Sequence, residues 1–343
     1  MIIYGAADLH LKERIWRSRS DITGDAYIAF ARLARMVMRD PGAVLLLAGD
    51  IFDSPYPEGI DELAFSTGMN KLRERGHRVY GIAGNHDAEN YYRPLLFGMQ
   101  ELTEEPVDIG EGIKVAGIPY CRSVEKLAEG LANAPVCDIL LMHAGFHHLL
   151  GFDESWQCDA KDIPEHVDKV LNGHVHVKDV TGKVLSPGSL SVGSVAEFTT
   201  AHGVFRFDTT RCQTQWIPIA TRPFVVADWN DGPPAIPKPM GNRLPVINLV
   251  YQSTHVARVE DFKEKHKEEA HFLDNMQTLE TVSGNQALIT SEGMDVDRVV
   301  RESLARRLGD DAEAAHIAAE LVRTEEPARW LEEYVTEANN AVQ

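Results

Sequence analysis

Five short segments of the sequence carry side chains that can ligate a metal ion. In each, an apolar run typical of a buried strand is followed at once by Asp, Asn or His. The segments are Asp8-Leu9-His10, Gly49-Asp50-Ile51-Phe52-Asp53, Gly84-Asn85-His86-Asp87, His143 and Gly173-His174-Val175-His176. Because α/β sheets place their chemistry at the carboxyl ends of their strands, we expect these segments to meet. One such segment would mean little, but five in one chain predict a metal site.

The donor types in these segments favour borderline divalent metals. Carboxylate, imidazole and amide oxygen together suit manganese, iron or zinc, and the absence of thiolates argues against a structural zinc site. In the first and last segments, alternate residues share one side of an extended strand end. Gly173 is expected to allow a turn that a bulkier residue would resist. Asp50 could bridge two ions, as in phosphoester sites where two metals clamp the attacking and leaving oxygens.

Alternating strand and helix patterns must position these segments. Helical spacing is predicted over residues 25–39 and about 58–75, between the strands that carry the first three segments. This alternation predicts an α/β core. After residue 105 the predicted strands become shorter, such as 114–118, with a helix near 124–132. Alternation over 183–219 predicts further strands that close the core.

The composition bounds the class of protein. The chain has 343 residues, enough for one large core with small appendages, and its 44% hydrophobic and 25% charged content is ordinary for a soluble protein. No apolar run approaches the roughly 20 residues that a membrane span needs, and no secretory signal is visible, so we expect a cytoplasmic protein without a membrane partner. The four cysteines show no CxxC spacing, which fits free thiols.

In type, spacing and order, the five segments resemble the motifs of the calcineurin-like metallophosphoesterases, over residues 1–220. The resemblance implies a four-layer α/β/β/α sandwich and two divalent metal ions, with Mn²⁺ favoured over Mg²⁺, Fe²⁺ or Zn²⁺. It also implies the ligands, which are Asp8, His10, Asp50 and His176 for one ion, and Asp50, Asn85, His143 and His174 for the other.

The same resemblance implies catalytic roles. His86 matches the family's catalytic histidine, which is not a ligand and would donate a proton to the departing sugar oxygen. Asp87 would position His86, and Asn85 would stabilise charge on the phosphoryl oxygens together with the metals. Asp53 is expected to support the site from behind the ligands.

Beyond the core, the layout resembles the SbcD-type nucleases, the nuclease subunits of break-processing complexes, and the length suits a compact, phage-like member. A proline-rich stretch at 231–245 predicts a domain edge, before a strand at 246–251 and an exposed charged helix over about 256–272 that carries His271. We therefore predict a nuclease core (1–229), a small α/β capping domain (230–285) and a C-terminal helical region (286–343). In that family, the appendage caps the DNA groove and terminal apolar helices dock on an SbcC-like ABC ATPase. The helices here could equally pack on their own cap.

Two loops offer contacts to DNA, because basic side chains bind phosphates and aromatic rings stack on bases. These candidate residues are Lys12, Arg14, Trp16, Arg17 and Arg19 after the first segment, and Tyr91, Tyr92 and Arg93 after the third. Ordinary surface loops would have the same composition. The net charge of −18 also weighs against nucleic acid, although bound divalent cations would offset part of it.

These observations predict a two-metal phosphodiesterase that acts on DNA. The resemblance further suggests 3′-to-5′ exonuclease and single-strand endonuclease action, a homodimer and an SbcC-like ATPase partner. A protein phosphatase is disfavoured, since Ser54-Pro55 stands where those enzymes carry Arg-Gly and Asp87 where they carry Glu. Two alternatives stay open. One is a small-molecule or nucleotide phosphodiesterase or phosphatase on the same core, which the acidic charge favours. The other is a non-catalytic scaffold, which the complete ligand set disfavours.

Overall fold

The structure is a computed structural model that describes residues 1–16, 19–149 and 157–277. Arg17, the predicted C-terminal helical region and the end of the predicted cap lie outside the described residues. The strands are β1 (Ile2–Ala6), β2 (Val44–Ala48), β3 (Arg78–Ile82), β4 (Gln100–Glu101), β5 (Val107–Asp108), β6 (Lys114–Ile118), β7 (Cys137–His143), β8 (Gly145–Phe146), β9 (Gln157–Cys158), β10 (Val167–Gly173), β11 (Asp179–Thr181), β12 (Val184–Ser186), β13 (Gly203–Asp208), β14 (Gln213–Pro218), β15 (Phe224–Asp228), β16 (Val246–Gln252) and β17 (His271–Gln277). The α-helices are α1 (Asp25–Val37), α2 (Gly59–Glu74), α3 (Tyr92–Leu96), α4 (Val124–Ala132) and α5 (Val256–His266).

Two six-stranded sheets form the centre of the described chain, in the orders β14-β13-β1-β2-β3-β4 and β11-β12-β10-β7-β6-β5. In the first sheet β1, β2 and β3 run parallel, and in the second β6, β7, β10 and β12 do. Their register brings the functional ends together, because Ala6 pairs with Leu47, and Gly173 pairs with His143. The carboxyl ends of the parallel strands therefore lie at one edge of each sheet.

Side-chain alternation along β2 shows how the layers are made. Leu46 points between the two sheets, where it joins Leu141 and Leu171 in one buried cluster. Leu45 and Leu47 point outward into a second cluster, which contains side chains of α1 and α2. On the far side, α4 packs on the outer face of the second sheet. The predicted four-layer α/β/β/α sandwich is confirmed.

A smaller sheet of three parallel strands, in the order β15-β16-β17, follows the sandwich. Its core includes Trp229, Phe262 of α5 and Phe272 of β17. The predicted helix over 256–272 was too long: α5 ends at His266, and His271 lies on β17 because the following residues pair with β16. The sheet also includes residues 224–228, on the core side of the predicted boundary at 229–230. The division into domains stays a prediction.

Candidate metal centre

Side chains from all five polar segments converge where β1, β2, β3, β7 and β10 end. Several ligand candidates have an unusual backbone conformation there: φ is 51° at Asp8, 42° at His10, 50° at Asp50 and 77° at His174. Residues other than glycine rarely adopt positive φ, which costs about 1–3 kcal/mol each and concentrates at functional sites. The strand ends are therefore bent to aim these side chains at a common point.

The ligand atoms form three overlapping groups in which all atoms lie within 4.8 Å of one another. The groups are Asp8, His10 and His176; Asp8, Asp50 and His143; and His10, Asp50 and His86. In the first group, Nε2 of His10 lies 3.0 Å from Nε2 of His176. Oδ2 of Asp8 is buried and has no hydrogen-bond partner. A buried carboxylate oxygen without a partner is costly, so this donor set fits a divalent cation.

Asn85 joins a second set of nitrogens. Its Oδ1 lies 2.9 Å from Nε2 of His143 and 3.0 Å from Nδ1 of His174. Oδ2 of Asp50 lies 3.4 Å from Nε2 of His143 and 3.7 Å from Nε2 of His10. Asp50 thus lies between the two sets, where a bridging ligand must be.

Hydrogen bonds and charges set the protonation of the ligands. Nδ1 of His143 lies 2.9 Å from the carbonyl oxygen of Ala48, which can only accept, so Nδ1 carries a proton and Nε2, which faces Asn85 and Asp50, is the nitrogen that would ligate. Burial opposes the charged ring, but Asp50 outweighs it and raises the pKa of His143 to about 9, so a metal ion bound there would displace a proton. Burial lowers the pKa of His174 to about 3, which keeps that ring neutral. Burial alone would raise the pKa of Asp50, but His143 and His10 hold it below its usual range.

Two glycines make room for the site. A Cβ at Gly84 would overlap Oδ1 of Asp50, and one at Gly173 would overlap the carbonyl oxygen of Ala48. The turn predicted at Gly173 is not the reason for this residue, because its φ is not positive. Close approach between the two sheets is the reason.

His86 is oriented differently from the prediction. Its Nδ1 donates to the backbone oxygen of Asp53 at 2.8 Å. The buried Asp87 carboxylate instead accepts three backbone N–H groups, from Ile51 (3.0 Å), Phe52 (3.1 Å) and Gly84 (3.2 Å). Asp87 does not contact the ring of His86, because these three donors occupy its carboxylate, and its part in positioning His86 stays a prediction. Burial, with a contribution from Asp50, raises the pKa of Asp87 to about 6.

Asp53 supports the first set of ligands. Its Oδ1 lies 3.5 Å from Nδ1 of His10, and its Oδ2 pairs with Lys12. Burial opposes ionisation of Asp53, but the neighbouring ring of His10 and the hydrogen bond from Lys12 outweigh it and lower the pKa of Asp53 to about 2. The carboxylate therefore stays charged beside His10.

The structure leaves some of the candidate DNA contacts exposed and packs others against the protein. The side chain of Arg14 is 62% exposed, and residue Tyr92 is 53% exposed. The ring of Trp16 instead lies 5.7 Å from that of Phe198 and 6.0 Å from that of Phe224, and Arg19 binds Asp21 and the backbone oxygen of Phe272. Trp16 and Arg19 thus attach the loop to the small sheet, contrary to the prediction that they face DNA. Arg93 pairs with Glu62 and lies over the ring of Tyr92.

Sequence reasoning missed Glu197. Its Oε1 accepts a hydrogen bond from Nδ1 of His176 at 3.1 Å. Burial raises the pKa of this carboxyl, but hydrogen bonds from His176 and Gly193 outweigh burial and lower it to about 2. The local signal was the Ser194-x-x-Glu197 spacing, which is also typical of a helix N-terminus.

Comparison with known proteins extends these observations. The DNA double-strand break repair protein Mre11 of Sulfurisphaera tokodaii is 27% identical over 173 residues, which are 46% of this chain and 44% of that protein. The chain thus spans less than half the length of this relative. The protein of the same name from Nanoarchaeum equitans is 24% identical over 292 residues, 74% of this chain and 78% of that protein. The crystal structure of TT1561 from Thermus thermophilus gives a TM-score of 0.43 at 15% identity, over 64% of this chain and 99% of that one.

Two further findings concern membrane spans and family. Among the described residues, no helix is both long and apolar enough to cross a membrane. Residues 1–178, which contain all the candidate ligands up to His176, match the family described as calcineurin-like phosphoesterase. Because that match covers more than half of the sequence, the chain belongs to the calcineurin-like phosphoesterase family.

Proposed function

We propose that this protein is a DNA nuclease that hydrolyses phosphodiester bonds with two divalent metal ions. The observation that carries the proposal is the convergence of seven ligand candidates with Asp50 at their centre, which are Asp8, His10, Asp50, Asn85, His143, His174 and His176. When bound, the two ions would lower the pKa of the attacking water and stabilise charge on the phosphoryl oxygens. The name of the relatives, a DNA double-strand break repair protein, supports DNA as the substrate.

The side chains around the metals have separate roles in this proposal. Because Oδ1 of Asn85 faces His143 and His174, its amide Nδ2 is left to donate to a phosphoryl oxygen. Nδ1 of His86 is engaged by the carbonyl of Asp53, so Nε2 is the atom that would protonate the departing sugar oxygen. His86 lies within the 4.8 Å group of His10 and Asp50, close enough to act on a phosphate held there.

Among the candidate DNA contacts that the structure describes, Arg14 and Tyr92 are exposed. Lys12 adds a positive charge beside the site, where Asp53 holds its ammonium group. These cations would contact the phosphates on either side of the scissile bond. The rest of the chain is acidic, so DNA binding would depend on these residues and on the bound metals.

The proposed partners are a second copy of the chain and an SbcC-like ABC ATPase. Four exposed apolar side chains support the homodimer, because exposed apolar patches are typical of protein interfaces. They lie on or next to α2 and α3 and are Tyr56, Ile60, Leu63 and Leu96. Light scattering should show a dimer that Leu63→Glu converts to a monomer. A monomeric wild-type protein would refute the homodimer.

The test of the nuclease uses manganese and end-labelled single- and double-stranded DNA, beside the small diester bis-p-nitrophenyl phosphate. We expect both DNA and the diester to be cleaved, and His86→Ser to abolish turnover while manganese content is unchanged. His147→Ser, a change of an exposed histidine, is the matched control. Shortening of a 5′-labelled strand in single-nucleotide steps would indicate 3′-to-5′ exonuclease action.

The alternative function gives a different result in the same assay. Cleavage of the small diester or of mononucleotides, with DNA untouched, would favour a small-molecule phosphodiesterase on the same metal site. The net charge of −18 is the observation that favours this alternative. Repeating the assay with an SbcC-like ATPase would then separate an inactive nuclease from a different enzyme.

A further inference from the structure

Glu197 lies behind the metal centre, at the end of a short 3₁₀ turn, and is buried. Four groups contact its carboxylate. Oε1 faces Nδ1 of His176 (3.1 Å) and the hydroxyl of Ser194 (3.0 Å), and Oε2 faces the hydroxyl of Ser189 (3.2 Å) and the N–H of Gly193 (3.0 Å). Both oxygens are therefore satisfied, and the side chain is fixed on two sides.

This contact decides which nitrogen of His176 carries the proton. An ionised carboxylate can only accept, so Nδ1 of His176 must donate to Glu197. Nε2 then has a free lone pair, and it faces Nε2 of His10 at 3.0 Å within the group that includes Asp8. We infer that Glu197 is a positioning residue, which holds His176 in the tautomer and orientation that ligate the metal ion of the Asp8–His10 group.

Backbone hydrogen bonds also connect the segment around Glu197 to the metal ligands. The N–H of Ser189 donates to the carbonyl of His176 at 3.1 Å, and the N–H of Leu190 donates to that of Asp8 at 3.1 Å. The segment that carries two partners of the Glu197 carboxylate is thus tied to both strand ends that supply ligands. A Cβ at Gly193 would lie 3.4 Å from Oε1, at van der Waals contact, so this backbone lies directly against the carboxylate.

The two metal sets differ in this respect. His143 is oriented by a neutral backbone carbonyl, and His176 by a carboxylate. A carboxylate partner raises the basicity of a ligating imidazole, and its loss costs roughly 10–100-fold in metal affinity. Loss of Glu197 should therefore weaken one of the two ions and spare the other.

Glu197→Gln is a sharp test because the amide cannot replace the carboxylate. The N–H of Gly193 needs an acceptor, so the amide oxygen must take the Oε2 position. The amide NH₂ then faces Nδ1 of His176, which must accept instead of donate. Nε2 of His176 would become protonated and lose its ability to ligate.

The experiment measures manganese binding by the full chain, by calorimetry at fixed pH. We expect two ions to bind the wild-type protein, and Glu197→Gln to weaken one of them roughly 10–100-fold while the other is unchanged. Glu129→Gln, which removes the same charge from an exposed position of α4, should bind both ions as the wild type does. Ser194→Ala, which keeps the carboxylate, should have a small effect.

A second readout needs neither metal nor activity. In ¹⁵N-histidine-labelled, metal-free protein, the His176 ring should be protonated at Nδ1 in the wild type and at Nε2 in Glu197→Gln. Its resonances are assigned by their loss in His176→Asn. A role in stability alone would change the unfolding midpoint without changing the tautomer.

The inference rests on the proposed assignment of His176 as a ligand, and the outcomes separate the two. If the wild-type protein binds no manganese, the proposed metal centre fails. If it binds two ions, and Glu197→Gln binds both equally well or weakens both alike, the role of Glu197 at one site is refuted.

Discussion

The backbone carbonyl of Asp53 lies 2.8 Å from Nδ1 of His86, in the loop that follows β2. The backbone N–H of His86 in turn donates to Oδ1 of Asp50 at 2.9 Å. Two hydrogen bonds thus fix His86 against the loop that carries the central ligand. The position of the proposed proton donor relative to Asp50 depends on backbone geometry, and the neighbouring Asp87 acts by holding that loop in place.

Asp87→Asn should therefore lower the free energy of unfolding and have little effect on turnover. An amide has one acceptor oxygen, so at least one of the three N–H groups that Asp87 now binds would lose its partner. We expect a loss of about 1–3 kcal/mol in the free energy of unfolding, measured in urea, and near-normal turnover of bis-p-nitrophenyl phosphate by the folded variant.

The matched control is Asp168→Asn, at an exposed position of β10, which should leave both quantities unchanged. The opposite pattern, full stability with turnover lost, would contradict the structural role. It would return Asp87 to the orienting role that the sequence predicted.

The fold was predicted well where the signal is local. The predicted bounds of β6 and α4 are the observed ones, because each is a short apolar pattern between clear breaks. The helix predicted over 256–272 failed at its end. Residues 271–277 form a strand through pairing with β16, and such a contact between distant residues leaves little trace in a charged local sequence.

The sequence predicted the positions of the site residues that come directly after a strand. Asp8, Asp50 and His143 are found where their strands end, since sheet geometry places them there. The orientation of His86 by a carbonyl, the Glu197 contact and the packing of Trp16 depend on loops that meet only in the folded chain. Residue type does not report these contacts, because a backbone oxygen orients a ring as well as a carboxylate does.

Asp8→Asn should remove the response to one of the two metal ions. The amide can keep the acceptor that Oδ1 of Asp8 offers to the N–H of His174 at 3.0 Å, but it removes the charge from the buried, unpartnered Oδ2. Manganese at 100 times the dissociation constant of each site should stabilise the wild type by about 2.7 kcal/mol for each of its two ions, and the variant by the contribution of one ion only.

Thermal unfolding with and without a chelator measures this difference. The metal-free variant should be at least as stable as the metal-free wild type, because a buried amide costs less than a buried unpaired carboxylate. The Asp168→Asn control should keep the full response. If manganese raises the unfolding temperature of the wild type and of Asp8→Asn by the same amount, Asp8 is not a ligand.

Gly84→Ala should disrupt metal binding by steric overlap alone. A Cβ at this position would overlap Oδ1 and the backbone nitrogen of Asp50, and the φ of Gly84 is not positive, so backbone strain does not contribute. We expect a cost of about 1–3 kcal/mol in stability and a loss of manganese affinity, as Asp50 is displaced. Gly59→Ala, at the start of α2 with open space for the added Cβ, is the control and should keep manganese affinity unchanged without lowering stability. Unchanged manganese binding in Gly84→Ala would show that Asp50 tolerates the displacement.

Trp16→Ala should lower stability and Arg14→Ala should weaken DNA binding, although the two residues lie two positions apart. The ring of Trp16 packs on Phe198 and Phe224, so its removal should lower the free energy of unfolding by about 2 kcal/mol, below the roughly 3–5 kcal/mol of a fully buried aromatic.

Arg14 is exposed, so Arg14→Ala should leave stability unchanged. It should weaken DNA binding uniformly across sequences and reduce the slope of log affinity against log salt by about one, as expected for one lost phosphate contact. Urea unfolding and fluorescence anisotropy at several salt concentrations measure the two effects. A Trp16→Ala variant of normal stability that loses DNA affinity would show that the ring leaves its aromatic neighbours to stack on a base, because packing energy and stacking energy cannot both depend on the same face of the indole.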